Sequence, residues 1–168
     1  RPQTLIARTK AIVLNSFSGG LDITDGDEHG SQAYERADQA ARELGELVVV
    51  ERETLDALLP LLVENQQGRQ WMFGAGMAAA ADDPSGTWDK LVEAFESIPD
   101  DKRNIQILRG FLNGVHGRDR ELFERLMDAT ISNKSLVMWV PVLQLSSELD
   151  DGGCSRLLRS MDDPAVPA

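Results

Sequence analysis

A chain of 168 residues is about one domain's worth, and 42% hydrophobic content is enough for a sizeable core, which excludes wholesale disorder. Seventeen Lys and Arg against 28 Asp and Glu leave a net charge of −11, which argues against a protein that lives on a nucleic-acid backbone. The single cysteine, Cys154, excludes an internal disulfide and a four-cysteine zinc site, and two histidines, His29 and His116, offer little to a metal centre.

Leu5, Ile6, Ile12 and Val13 fall as two pairs on one helical face and predict a first helix over about residues 3–16. Ser18 to Gly30 reads as a Gly- and Asp-rich loop. Ala33, Ala37, Ala40, Ala41, Leu44, Leu47 and Val48 then keep a 3.6-residue period and predict a second helix. Its end is ambiguous, because Val48 to Val50 favour a strand by propensity but have no partner strand. Residues 1–50 form an irregular opening helix pair in this reading, and residues 162–168 a disordered tail. The start at Arg1 and that tail suggest a piece of a longer protein. The most apolar stretch, Met72 to Ala81, holds ten residues broken by glycines, against roughly 20 needed to cross a bilayer.

From Leu55 onward the chain repeats. Leu55, Leu58, Leu59 and Leu62 share one set of offsets with Trp88, Leu91, Val92 and Phe95, 33 residues later. Phe123, Leu126, Met127 and Thr130 follow after another 35, and Cys154, Leu157, Leu158 and Met161 after 31. Second helices are predicted between these at about 69–81, 102–116 and 134–145, separated by turn-forming breakers. A fixed period with two helices per unit marks an α-solenoid, because one helical hairpin cannot bury its own apolar stripe. The expected fold is therefore all-α: a right-handed α-α superhelix or short α-solenoid of antiparallel helix pairs, with about nine helices in one domain.

Residues 51–161 resemble the HEAT-like class of α-helical repeats, in which first helices often carry a bending proline, as Pro60 does here. Pro141 departs from that habit by falling in a second helix. Of the Asp and Arg positions usual in HEAT second helices only Arg109 matches, while Ala75 and Pro141 occupy the equivalent places. The resemblance implies a fold and a concave binding face, and carries no catalytic residue across.

The acidic loop around Asp22, Asp25, Asp27, Glu28 and His29 is the best candidate for a metal, but its acids miss the alternate spacing of a calcium loop. It reads as a solvated connection, so no metal, cofactor or catalytic residue is assigned. His116 suits a helix C-terminus, Cys154 an apolar core position, and Trp71, Trp88 and Trp139 core packing. Gly74, Gly76, Gly110 and Gly114 suit close approach of helix backbones. Phosphate-loop, nucleophile-elbow and zinc-protease motifs are missing.

These features lead to a non-catalytic protein-interaction or scaffold module, with second helices lining a groove. Gln106, Arg109, Asn113 and Gln144 are its predicted solvent-facing polar set. Arg109 is the sharpest of them, able to pair bidentately with a carboxylate or to bridge internally to Asp128 or Glu93. The acidic field favours a neutral or basic protein partner, with no nucleic acid or membrane, in a cytoplasmic setting. The alternatives are a helical spacer or transmission segment of a large multidomain NTPase or effector, and a metal-dependent hydrolase using the acidic loop.

Overall fold

The computed structural model describes residues 4–15, 27–64 and 68–162, and among them the chain forms nine α-helices and no strand. An isolated antiparallel bridge, Glu64 to Arg103, is the nearest thing to a sheet in those residues. The all-α expectation holds. Asp22 and Asp25 of the acidic loop, and the tail from Asp163, lie outside the described residues.

Helix α1 (Leu5–Thr9) runs on into a π turn over Lys10–Leu14. Helix α2 (Asp27–Val49) begins earlier than its alanine period suggests, taking up Asp27 to Gly30 that the sequence placed in the loop. Then follow α3 (Arg52–Leu62), α4 (Gln70–Ala80), α5 (Pro84–Ser97), α6 (Gln106–Arg118) and α7 (Arg120–Ile131). The chain closes with α8 (Val140–Gln144) and α9 (Asp151–Met161).

Three helices start by the same device. The carboxylates of Asp83, Asp119 and Asp150 accept from the backbone N–H of Gly86, Leu122 and Gly153, opening α5, α7 and α9. Each satisfies an N–H that the helix itself leaves without a partner.

Helices α2, α4 and α6 lie side by side and run parallel. Asp38 and Arg42 of α2 meet Arg69 and Gly76 at α4, and Trp71, Ala75 and Ala78 of α4 meet Gly110, Gly114 and Arg118 of α6 in the same order. The glycines expected to bring backbones together do so. A Cβ on Gly74 would stand 2.3 Å from the Ile107 carbonyl, on Gly76 2.0 Å from that of Arg42, and on Gly110 1.9 Å from that of Trp71. Gly45 serves the same purpose against Phe73, and its period gave no sign of it. Helix α4 is apolar on every side and buried from Phe73 to Ala78, as a central helix must be.

Helices α3, α5, α7 and α9 carry the repeated apolar template. All four template residues of α3 and of α7 are buried, and Trp88, Leu91 and Phe95 of α5 are buried with Val92 half-covered. The template fails in α9. Cys154, Leu158 and Met161 are exposed, Leu157 is half-buried, and the covered positions are Gly153, Arg156 and Ser160. The physical reason is Arg156, 2% exposed, whose guanidinium donates to Glu124 and to Asp128 (3.1 Å) on α7 and to Gln144 on α8. Full pairing lets a charged group hold an interior place that the pattern assigned to leucines.

The predicted helix over 134–145 is also shorter than expected. The side-chain oxygen of Asn133 accepts from the N–H groups of Ser135 and Leu136, holding a turn there. Pro141, which cannot donate within a helix, sits in the first turn of α8, after a 3₁₀ turn at Val137–Trp139. Pro60, by contrast, stays inside α3.

Candidate functional site

The four predicted groove residues do not share one environment. Gln106, Arg109 and Asn113 follow one another along α6 with their side chains on one side, since steps of three and four residues return to the same face. Asn113 is exposed and its Nδ2 donates to the Ser146 carbonyl at 2.8 Å, tying α6 to the segment after α8. Gln144 is not solvent-facing. It is 1% exposed, and its Oε1 accepts from the buried Arg156 of α9, which holds it in the interior.

Arg109 makes neither of the internal bridges expected for it. Asp128 is engaged by Arg156 and by Arg159 at 2.9 Å, and no ion pair involves Arg109 among the described residues. Its guanidinium lies instead over the Trp71 ring, 4.8 Å from the centroid. Nε is buried without a hydrogen-bond partner, and Nη1 makes a long contact of 3.4 Å to Gln106 Oε1. Burial lowers the Arg109 pKa from its ordinary value, the mark of a cation with little to compensate its lost hydration.

Trp71, read from sequence as core, is thus the half-buried platform on which Arg109 rests. Trp88 and Trp139 pack as expected, Trp88 stacked against Phe111 and Trp139 edge-on to Phe95, each at 6.2 Å. Steps of four residues place Trp71, Ala75 and Ala79 in one row on α4 and Arg109, Asn113 and Gly117 in another on α6.

One turn on from Trp71 and Arg109, beginning at Ala75 and Asn113, runs a trough of about 400 Å³. It is lined by Ala75 and Ala79 of α4, by Asn113, Gly114, Gly117 and Arg118 of α6, and by Arg42 of α2. Arg118 Nη1 donates to the carbonyls of Ala78 (3.0 Å) and Ala81 (2.9 Å), and Arg42 Nε stands 3.7 Å from Glu46. Among the described residues no carboxylate lines the trough.

A second cleft, of about 200 Å³, opens between α5 and α7 and has the opposite sign. Asp89, Glu93 and Glu96 surround Val92 and Leu136 there, and Glu96 accepts from Asn133 at 2.9 Å.

His116 lies within α6, its ring 4.9 Å from that of Phe123 and edge-on to it. Cys154, expected in the core, is exposed on α9. No group of three or more metal-ligating side chains comes together among the described residues, and none of their helices is long and apolar enough to cross a membrane. Compared with protein-family models, with curated proteins and with solved structures, the chain finds no match in any of the three.

Proposed function

We propose that this chain is a non-catalytic protein-interaction module of HEAT-like helical repeats, binding through the face of its second helices. The observation that carries the reading is Arg109, held over Trp71 on that face with no acidic partner among the described residues. Tryptophan and arginine dominate interaction hot spots because they offer large contact area and directed hydrogen bonds. The parallel stacking of α2, α4 and α6 supports the repeat, since successive units of a solenoid place equivalent helices side by side.

Overall the partner is neutral or basic. The net charge of −11 attracts such proteins at long range, and the cleft with Asp89, Glu93 and Glu96 supplies a local acidic surface.

Cross-linking capture in the source cell, comparing the wild type with Arg109→Ala, tests the reading. A protein captured by the wild type and lost in a variant of unchanged melting temperature supports it. Thermal stabilisation of the wild type by a nucleotide or a divalent metal, with no such protein, points to chemistry in place of scaffolding.

A further inference from the structure

We propose that the trough over the α4–α6 seam docks an extended acidic segment of the partner, one carboxylate seated on Arg109 and a second between Arg42 and Arg118. This rests on the interaction reading above and adds the surface and the chemistry of what it holds.

Charge is the first argument. In a chain of net charge −11, the described residues that line the trough include two arginines and no carboxylate, and Arg109 stands over Trp71 one helical turn before Asn113 and Ala75. Its sign is therefore opposite to that of the molecule as a whole. A neutral or basic partner drawn in by the long-range field finds here a place for the acidic part of its surface.

The state of Arg109 is the second. Stacking on Trp71 fixes the guanidinium plane, and the burial of Nε turns that edge away from any ligand. The Nη edge is left for a carboxylate, and little side-chain freedom remains to be lost on binding. Arg118 is fixed likewise by the Ala78 and Ala81 carbonyls. Among the described residues Arg42 is held by its 3.7 Å approach to Glu46, longer than a hydrogen bond.

Shape gives the spacing. Arg109 and Arg118 lie nine residues apart on α6, roughly 13 Å along the axis and two and a half turns around it; Arg118 comes to the trough by reaching across to the end of α4, so at least about four extended residues are needed to span the pair. The small lining residues Ala75, Ala79, Gly114 and Gly117 let a peptide backbone lie close to the helices. A nucleic acid carries phosphates well past the trough into acidic surroundings, whereas a short acidic segment ends with it.

The test uses the whole chain and labelled Gly-Ser peptides bearing two glutamates four residues apart, read by fluorescence anisotropy at low and physiological salt. The glutamate peptide should bind and its glutamine counterpart should not. Arg109→Gln should weaken binding by about tenfold or more. Arg42→Gln should weaken it several-fold, with circular dichroism and melting temperature unchanged. Equal binding of the two peptides, no effect of Arg42→Gln, or preference for a lysine peptide would overturn the assignment. So would a single-stranded oligonucleotide that binds as tightly and depends equally on Arg109. If the cell yields a partner whose capture is insensitive to Arg42→Gln and Arg109→Gln, the acidic-segment assignment falls while an interaction role stands. If the glutamate peptide binds as described, the assignment stands whether or not a cellular partner is captured.

Discussion

Arg118, near the end of α6, donates to the carbonyl of Ala81 at the end of α4, 2.9 Å away. One helix thereby supplies the C-terminal cap of its neighbour, satisfying carbonyls that a helix end leaves without donors. Arg103 does the same for α5, donating to the carbonyls of Glu96 (3.0 Å) and Ile98 (2.8 Å). Arg118→Ala should cost about 1.5–2 kcal/mol, the lower part of the range for charged hydrogen bonds because the side chain is exposed. Hydrogen exchange would accelerate at the last turn of α4 first. A loss spread evenly over the chain would show that the cap is not the cause.

The seam offers a matched pair of glycine substitutions. Gly110→Ala drives a methyl to 1.9 Å from the Trp71 carbonyl, so it should destabilise by about 3 kcal/mol despite its better helix propensity. Gly117→Ala meets nothing within 4 Å and should stabilise by about 0.5–1 kcal/mol. Urea titration of both variants measures the contrast.

Template position and burial part company at α9, and substitutions separate them. Leu126→Ala, at a site 6% exposed, should cost about 2–4 kcal/mol. Leu158→Ala, at the offset that the buried Met127 fills in α7 but itself 67% exposed, should stay within about 0.5 kcal/mol of the wild type. The exposed Cys154 thiol should react with a maleimide in the native state at a rate close to that of the unfolded chain.

Arg156→Met removes the cation that Glu124, Asp128 and Gln144 share, leaving their groups without it, and should cost about 3 kcal/mol. Arg156→Lys should recover only part, since one ammonium cannot reach three partners in a plane.

The same cluster sets an acid limit. Burial works against the charged form of Asp128, but hydrogen bonds and charges from Arg156 and Arg159 outweigh it and hold the carboxyl below its ordinary value of 3.8. A carboxyl with a depressed folded pKa contributes stability above its unfolded value, and that contribution disappears as pH falls through the folded value. The wild-type melting temperature should therefore drop below about pH 4, and Asp128→Asn should drop less steeply over the same interval.

Much of this was legible before any coordinates. Helix faces of α3, α5 and α7 follow from spacing alone, because leucines and aromatics at those offsets have nowhere to go but inward. The glycines of α4 and α6 betrayed close backbones by standing where side chains would otherwise fill the gap. What escaped depends on partners distant in sequence. No period announces that Arg156 will be neutralised from α7 and α8, or that Arg109 will prefer an indole to a carboxylate. Nor could the pattern weigh the Asn133 turn and Pro141 against the apolar residues between them, which is why α8 came out short.

Backbone contact at Gly45, Gly76, Gly74 and Gly110 has a mechanical side as well. Where side chains separate two helices, they change rotamer and let the helices slide; where main chains touch, there is nothing to rearrange. Helices α2, α4 and α6 therefore move together as a stiff plank. Bending falls to the other layer, where solvent-exposed pairs such as Lys90 with Asp56 and Arg120 with Asp150 join neighbouring helices and can re-form after a shift. A load applied along the molecule would be borne on the plank and absorbed on the opposite side, keeping the spacing between Arg42, Arg109 and Arg118 constant while the rest of the chain flexes.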